Sequence, residues 1–265
     1  MQPLPLDKSV ALIPDGASLM IGGFMAVGTP LGVIDELVRQ KKSNLIVIAN
    51  DTAMPGRGIG KLVDAKLLRK AIVSHIGLNP ETQRQMLAGE LEVELVPQGT
   101  LIERIRAGGF GLGGVLTQTG IGTSVEEGKQ RIEVAGRQYL LEVALRADFA
   151  LVQAFLADYM GNLSYALTAR NFNPVIAMAA DTVIASADHI VPVGVLAPDH
   201  VMTPAPVVDY LGNLAYALTA RNFNPVIAMA AKTVIVDAEH IVPVGTIPPD
   251  HVMTPAPLVD YLVAQ

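Results

Sequence analysis

Short aliphatic runs alternate with longer amphipathic stretches between residues 18 and 154. Strands that are covered by helices on both faces tend to be apolar throughout, so the runs predict strands and the stretches predict connecting helices. The predicted strands are Ser18–Ile21, Leu45–Ala49, Leu68–Ser74, Leu91–Pro97 and Asp148–Ala154. The pattern therefore predicts an α/β fold, built as an open, mostly parallel, Rossmann-like sheet with helices on both faces.

Helix starts are indicated at two places in this region. Thr29-Pro30 precedes one amphipathic stretch, and Asn79-Pro80 precedes another. In each pair a side-chain oxygen can cap the free amides of the first turn, and proline is tolerated there because its missing N–H has no intrahelical partner. A third helix is predicted at residues 101–107.

Residues 131–143 predict a β-hairpin that projects from the sheet. Two short runs of alternating character flank Ala135-Gly136, and a small residue followed by glycine suits a tight turn between antiparallel strands. We therefore expect a local antiparallel element beside the parallel sheet.

Residues 161–211 recur almost unchanged as residues 212–262, with nine of the 51 positions different. A solenoid needs about three or more stacked copies, and no segment before residue 160 resembles the repeat. The pattern therefore indicates a tandem duplication of 51 residues, which unequal recombination or deliberate engineering would both produce. We predict one domain at residues 1–211 and an extra strand-and-helix unit at residues 212–265.

A Rossmann-like sheet has one position for the repeated unit, so the two copies compete for it. Loop-closure entropy grows only as about (3/2)RT ln n, and docking of the second copy would leave the first as a long insertion. The first copy is therefore expected to complete the sheet. Apolar segments of the second copy are costly to leave in water, so we expect it to dock on the sheet edge or to swap into a neighbouring molecule.

Composition excludes several classes of protein. The 265 residues carry a formal net charge of −6 and show no Lys/Arg cluster, which argues against a nucleic-acid partner. Although 51% of the residues are hydrophobic, no run approaches the roughly 18 to 20 apolar residues of a membrane span. No secretory signal is visible, and zero cysteines exclude disulfides and thiolate catalysis. A cytoplasmic enzyme is expected.

The segment from Asp15 to Pro30 carries the strongest chemical signal. A predicted strand leads into Gly22-Gly23, and the chain then reaches a helix start through a further glycine, Gly28. Glycines allow a ligand to approach the backbone, and free amides at a helix start favour anionic groups. Ligands bind such loops at the carboxyl ends of parallel strands. A tight turn without a ligand explains the spacing equally well.

This segment resembles the signature of the α subunits of acetate/acetoacetate (3-oxoacid) coenzyme A transferases at every position of the motif. Segments 48–53, 74–82, 96–109 and 169–174 are similar to the same family. The resemblance implies the coenzyme A transferase-type fold and movement of coenzyme A between acetyl coenzyme A and a carboxylic acid such as acetoacetate or butyrate. It implies coenzyme A as a substrate, no permanently bound cofactor, and a β-subunit partner in an expected α2β2 assembly.

The resemblance also implies ping-pong chemistry on a glutamate that belongs to the β subunit. The β-subunit signature Ser-Glu-Asn-Gly does not occur in this chain. Glu126-Glu127-Gly128 fits Glu-x-Gly in form, but a solvated pair of carboxylates beside the hairpin is the favoured interpretation. We therefore expect no catalytic nucleophile in this chain and no activity from it alone.

Several residues are carried over from the family as site residues. The residues expected to line the coenzyme A site are Gly22, Gly23, Phe24, Met25, Ala26, Val27 and Gly28. The expected substrate pocket contains Asn50, Gln98 and Gly99, with the Gln98 amide contacting a carboxylate or an oxyanion from the end of a buried strand. Alternatively, Gln98 satisfies loop backbone and Asn50 forms an Asx turn.

Other motifs lack the context that their chemistry requires. The G-x-G-x-x-G pattern of residues 109–114 follows a predicted helix rather than a strand, and residues 58–61 lack most of a phosphate loop. Four histidines are repeat pairs without zinc spacing and are expected at the surface: His189, His200, His240 and His251. No metal site is predicted.

Two rival interpretations stay open at this point. One is a relative of the same fold that acts on a longer acid, because acyl length depends on a pocket shared with an unseen chain. The other is an engineered or aberrant duplication variant that is inactive alone. Assay with a matching β subunit would separate them.

Overall fold

A seven-stranded sheet forms the centre of the first of two units, residues 1–196 and 197–265. The computed structural model describes residues 3–196, 200–202, 235–238 and 261–264. The strands are β1 (Ser18–Ile21), β2 (Leu45–Asp51), β3 (Leu68–His75), β4 (Glu92–Leu95), β5 (Gly114–Thr117), β6 (Arg131–Val134), β7 (Arg137–Val143), β8 (Ala147–Asp158), β9 (Leu163–Ser164), β10 (Ala180–Val191), β11 (Ile235–Ala238) and β12 (Tyr261–Ala264). The α-helices are α1 (Leu6–Ala11), α2 (Leu31–Arg39), α3 (Gly60–Asp64), α4 (Pro80–Leu87), α5 (Gln98–Gly109) and α6 (Asn173–Ile176).

The order of the large sheet is β10-β8-β1-β2-β3-β4, and every pairing along it is parallel. The short strand β9 lies off this path and pairs antiparallel with the last residues of β8. The chain moves outward from β1 to β4 and later returns to the other side of β1 as β8 and β10. The strand order therefore reverses between β1 and β8, which makes their carboxyl ends the topological switch point.

The pairing of β1 with β8 is fixed at its beginning by one side chain. Asp148 accepts hydrogen bonds from the Ser18 backbone N–H and from the Ser18 hydroxyl, both at 2.7 Å. These bonds lower the pKa of the Asp148 carboxyl, the backbone N–H having the larger effect. The carboxylate thus sets the register at which the two central strands run toward the switch point.

The central strands β1 and β2 are buried on both faces, as predicted, whereas much of the edge strands β10 and β4 is exposed. Alternate residues of the strands join the side chains of α1, α2, α3 and α4 in one core cluster, for example Leu19, Val47 and Val73. The intervening residues Met20 and Ile72 are also buried, outside that cluster. Helix α5 contacts β3, and α6 contacts β8 and β1. The alternation follows from the two-residue period of a strand, which sends successive side chains to opposite faces.

A separate three-stranded sheet, β5-β7-β6, contains the predicted hairpin. Ala135 and Gly136 connect β6 to β7 with φ of 50° and 73°. Positive φ at both central residues is what a two-residue hairpin turn requires. The hairpin prediction is confirmed, and β5 adds a third strand to it.

The predicted strands are all present, but two helix predictions are wrong in detail. Helix α2 begins after Pro30 without a side-chain cap, because the Thr29 hydroxyl donates to the buried Gly22 carbonyl at 2.9 Å instead. Helix α5 begins at Gln98 rather than at Leu101, because the Leu101 N–H already donates to the Pro97 carbonyl. Helix α4 begins as predicted, with Asn79 as its cap.

The first copy of the repeat supplies β9, α6 and β10 to the large sheet. Two contacts of β10 use positions at which the copies differ. Arg146 pairs with Asp181 at 2.9 Å, and the equivalent residue of the second copy is Lys232. Asp188 accepts from the Gln153 amide at 2.9 Å. A lysine beside Arg146 would replace attraction with repulsion, which favours the first copy at this edge.

Within residues 212–265, the structure describes β11 and β12, which pair in parallel. The predicted docking or swapping of the second copy otherwise lies outside the described residues. Across the described part of the chain, no helix is both long enough and apolar enough to cross a membrane.

We predict that a chain ending at residue 211 folds. Every strand of the large sheet and every residue of its core cluster precedes residue 197, so the truncation removes none of them. Circular dichroism and urea unfolding of the truncated chain would test this. A truncated chain that fails to fold would show that the second copy completes the domain.

The reciprocal deletion, of residues 161–211, is the matched control. It joins the second copy directly to the segment after β8 and places Lys232 near Arg146. We expect this chain to be less stable than the first by about 0.5 kcal/mol for the exposed charge pair alone.

Candidate functional site

The loop between β1 and α2 lies at the switch point of the large sheet. It leaves β1 at Gly22, whose N–H donates to the Leu151 carbonyl of β8 at 3.0 Å, and it reaches α2 after Thr29. In doubly wound sheets the crevice outside the carboxyl ends at such a point is where ligands bind. The glycine loop identified in the sequence therefore occupies the position in this fold that is best suited to a ligand.

A tight turn forms the tip of this loop. The Phe24 and Val27 backbones exchange hydrogen bonds of 3.0 and 2.9 Å, and Met25 and Ala26 between them have φ of 49° and 68°. Left-handed φ is uncommon for residues with a Cβ, so the turn needs support from its surroundings. The side chains of Phe24 and Val27 are exposed. The tip thus presents two apolar side chains outward.

Asp51 provides that support from the end of β2. Its carboxylate accepts from the Met25 N–H at 2.9 Å and from the Ala53 N–H at 2.6 Å, and it is only 5% exposed. Ala53 also has positive φ, at 53°. One buried carboxylate therefore holds two strained segments, the loop tip and the chain that follows β2, in fixed positions. Sequence reasoning did not single out Asp51.

The glycines of the loop face protein rather than open space. A Cβ on Gly23 would lie 2.2 Å from Thr29 Oγ1, and Gly23 has φ of 105°. A Cβ on Gly22 would lie 1.8 Å from Asn173 Oδ1. We expected these glycines to let a ligand approach the backbone. The structure shows a second reason for them, because internal packing alone already requires glycine at both positions.

Asn173, the first residue of α6, connects the loop to the other side of the switch point. Its amide nitrogen donates to the Gly28 and Ala169 carbonyls, both at 2.8 Å, and its oxygen accepts from the Gln153 N–H at 3.2 Å. Asn173 is fully buried. The side chain therefore joins the glycine loop, β8 and the segment before α6, and all three of its bonds are to backbone.

The structure brings two of the predicted pocket residues together. The Gln98 amide donates to Asn50 Oδ1 at 2.9 Å, and the Ser74 hydroxyl lies 2.8 Å from the same oxygen. Asn50 is 2% exposed, whereas Gln98 is exposed. The sequence predicted that Gln98 ends a buried strand. That placement is wrong, because Gln98 is the first residue of α5. An amide nitrogen carries two hydrogens, so the bond to Asn50 leaves Gln98 able to contact a carboxylate.

Gly99 lies in a neighbouring cleft of about 350 Å³ between the start of α5 and β5. The cleft is lined by Pro97, Gly99, Thr100, Glu103, Val115, Leu116, Thr117 and Thr119. Asn50 and Gln98 are not part of its lining, although Gln98 adjoins Gly99 in the chain. Asn50 of β2 and Gln98 at the start of α5 are thus in direct contact, whereas Gly99 faces a separate cleft.

Glu126 is held in an ion pair with Arg131 and accepts from the Gly122 N–H at 2.7 Å. The Arg131 hydrogen bond, followed by that of Gly122, lowers the pKa of the Glu126 carboxyl to about 2. Both oxygens of the Glu126 carboxylate are therefore engaged by groups of this chain. The structure gives Glu126 a role in holding the turn before the hairpin.

A doubly wound parallel sheet with a glycine loop at its switch point places the chain in the α/β class. The family model described as "Coenzyme A transferase" matches residues 5–211 and again residues 208–265. The chain therefore belongs to the coenzyme A transferase family, as the resemblance of its motifs implied.

Named relatives agree with this assignment. The chain is 51% identical over 208 residues to the "Acetate CoA-transferase subunit alpha" of Escherichia coli (strain K12), covering 78% of this chain and 94% of that protein. It is 51% identical over 197 residues to the "Acetoacetyl-CoA:acetate/butyrate CoA transferase alpha subunit" of Clostridium acetobutylicum, covering 74% and 90%. The chain is thus a transferase subunit of the α type.

The solved structures agree on the fold. An acyl-CoA transferase (YdiF) from E. coli O157:H7, described as a thioester complex with CoA, superposes with a TM-score of 0.68 at 22% identity. The match covers 88% of this chain and 58% of that one. The α/β fold with a mostly parallel sheet is confirmed.

We predict that Gly23→Ala destabilises the chain much more than Gly16→Ala does. Both residues have positive φ, but a Cβ at Gly16 meets no atom within 4 Å, whereas one at Gly23 meets Thr29. The left-handed backbone alone should cost about 1 to 2 kcal/mol at either position. The clash at Gly23 should add about 1 to 3 kcal/mol. Urea unfolding measures both costs, and equal costs would contradict the packing described for the loop.

Proposed function

We propose that the chain is the α subunit of a short-chain acyl coenzyme A transferase. Together with a β subunit it moves coenzyme A between an acyl coenzyme A, such as acetyl coenzyme A, and a small acid such as acetoacetate or butyrate. The observation that carries the proposal is the glycine loop at the switch point, in a chain that is 51% identical to α subunits named for these substrates.

The proposed chemistry is ping-pong, with the nucleophile on the β subunit. A β-subunit glutamate attacks the thioester carbonyl, forming an acyl-glutamyl anhydride and releasing coenzyme A as its thiolate. The thiolate attacks the glutamyl carbonyl, which frees the donor acid and leaves an enzyme thioester. The acceptor carboxylate then reverses these two steps and departs as the new acyl coenzyme A. No external oxidant, reductant or metal is needed.

In this proposal the α subunit binds and orients coenzyme A as a substrate. Residues 22–28 lie against it, with the exposed Phe24 and Val27 side chains available for its apolar groups. Because Asp51 holds the turn in place before binding, little conformational entropy is lost when the ligand arrives.

The acid end of the substrate is assigned to the group formed by Asn50, Gln98 and Gly99. Gln98 is exposed and tied to the buried Asn50, so its amide is oriented without being covered. A neutral N–H donor can stabilise a carboxylate or a developing oxyanion without adding charge. We propose that Gln98 makes this contact, with Asn50 orienting it.

The partners follow from the same proposal. A β subunit supplies the glutamate, in an expected α2β2 assembly, and the second repeat copy adds a possible contact between chains. The alternative of an aberrant variant without activity is not favoured by the comparisons, because the first 211 residues match the family model.

The test is reconstitution of the full chain with its own β subunit, or with that of the E. coli relative. We expect transfer of coenzyme A from acetyl coenzyme A to acetoacetate or butyrate. Chromatography of the acyl thioesters measures this transfer. Neither chain alone should catalyse it. Absence of transfer with both β subunits, while the E. coli α subunit is active with its own, would refute the proposed function.

We further predict that Glu126→Ala and Glu127→Ala retain most of the reconstituted activity. Glu126 serves the turn before the hairpin through Arg131 and Gly122, so its loss should affect local stability rather than chemistry. Borohydride reduction of the enzyme thioester, followed by peptide mass spectrometry, locates the reacting glutamate. Finding the reduced residue at Glu126 or Glu127 would show that the nucleophile belongs to this chain.

A further inference from the structure

The Asn173 side chain is a buried polar group at the site for which the proposed chemistry has no direct use. It is fully buried, and its oxygen and its nitrogen are both bonded to backbone. Burying an amide is costly unless its hydrogen bonds are made, so an apolar side chain would be the cheaper filler if packing alone were at stake. An asparagine is therefore required at position 173 by the backbone groups that its amide bonds.

What Asn173 holds is the rear of the glycine loop. Its nitrogen fixes the Gly28 carbonyl, and its oxygen fills the space over Gly22 that a Cβ would otherwise take. These two glycines are the two ends of the seven-residue loop. Asn173 thus restrains both ends, while Asp51 restrains the tip at Met25.

The same side chain anchors the loop to β8. Asn173 accepts from the Gln153 N–H, so the loop is registered against the strand on the far side of the switch point. A shift of this side chain would change where the loop lies relative to β8, and hence the shape of the crevice between them. A misplacement of about 1 Å at a positioned group is enough to lower catalysis substantially.

We propose that Asn173 is the positioning residue of the coenzyme A loop, and that Asn224, its equivalent in the second copy, does not perform this role. This inference rests on the proposed function of residues 22–28. Both asparagines stand in the same sequence, Asn-Phe-Asn-Pro, so local sequence cannot distinguish them. The distinction comes from the fold, in which Asn173 accepts from the Gln153 N–H of β8 and donates to the Gly28 carbonyl of the loop.

The residues beside β8 support the same choice of copy. Arg146 faces Asp181 of the first copy, and Lys232 stands at the equivalent position of the second. The strand β10 that follows Asn173 along the chain is therefore matched in charge to its neighbour. Asn224 would reach the loop only if Lys232 took the place beside Arg146.

The experiment compares Asn173→Asp with Asn224→Asp in the full chain reconstituted with a β subunit. Replacing the amide nitrogen by a carboxylate oxygen turns two donated hydrogen bonds, to Gly28 and Ala169, into contacts between acceptors. We expect the KM for acyl coenzyme A to rise on the order of tenfold or more for Asn173→Asp. The KM for the acid should change little, and Asn224→Asp should match the parent chain.

A second measurement separates positioning from a general loss of stability. Asn173→Ser shortens the side chain and leaves room for the methyl group that Gly22→Ala adds. If Asn173 positions the loop through Gly22, the double variant should have a lower KM for acyl coenzyme A than independent effects would give. Thermal unfolding of each variant fixes an assay temperature below the lowest unfolding midpoint, so that KM is compared among folded chains.

The outcomes are distinguishable. A parent chain without transfer refutes the proposed function itself. A parent chain with transfer, together with a normal KM in Asn173→Asp, overturns the role of Asn173. A raised KM in Asn224→Asp with a normal one in Asn173→Asp assigns the role to the second copy and overturns the choice made here. Additive effects on the KM for acyl coenzyme A in the cycle would overturn the proposal that Asn173 positions the loop through Gly22.

Discussion

The buried backbone of the loop at the switch point must find hydrogen-bond partners inside the protein, and the site depends on how it does so. The loop turns away from β1 with left-handed residues and cannot continue the sheet. Three side chains satisfy it instead: Thr29 at the end of the loop itself, Asp51 of β2 and Asn173 of α6. Because Asp51 and Asn173 belong to elements distant in the sequence, the loop has its shape only when the sheet is assembled.

This arrangement explains how a strained loop can persist at a binding site. Positive φ at Met25 and Ala26 costs free energy that the surrounding hydrogen bonds offset. What remains exposed is the outer surface of the turn, including the Phe24 and Val27 side chains. The interior of the site is thus used for positioning, and the ligand is offered a surface that is already ordered.

The sequence could predict what depends on local pattern. Apolar runs identify the strands, and Asn79-Pro80 identifies the start of α4. The sequence could not predict that Thr29 leaves α2 uncapped. Its hydroxyl donates instead to the Gly22 carbonyl, a contact that exists only once the loop has folded back. Gln98 lies beside Asn50 but begins a helix instead of ending a strand, because Pro97, the last residue of the predicted strand, is also the residue before α5.

Asn173 belongs to a motif that is visible in the sequence, but the sequence does not show what the residue contacts. The same asparagine occurs in both copies of the repeat, as Asn173 and Asn224. Asn173 becomes a partner of the loop through its hydrogen bond to β8, which the sequence does not reveal. The exposed pair of Arg146 and Asp181 contributes little free energy, but the competing copies are otherwise nearly identical. When two segments differ at nine of 51 positions, small terms decide between them. One reversed charge at the sheet edge, added to the entropy of looping out an inserted copy, therefore favours the arrangement in which Asn173 meets the loop.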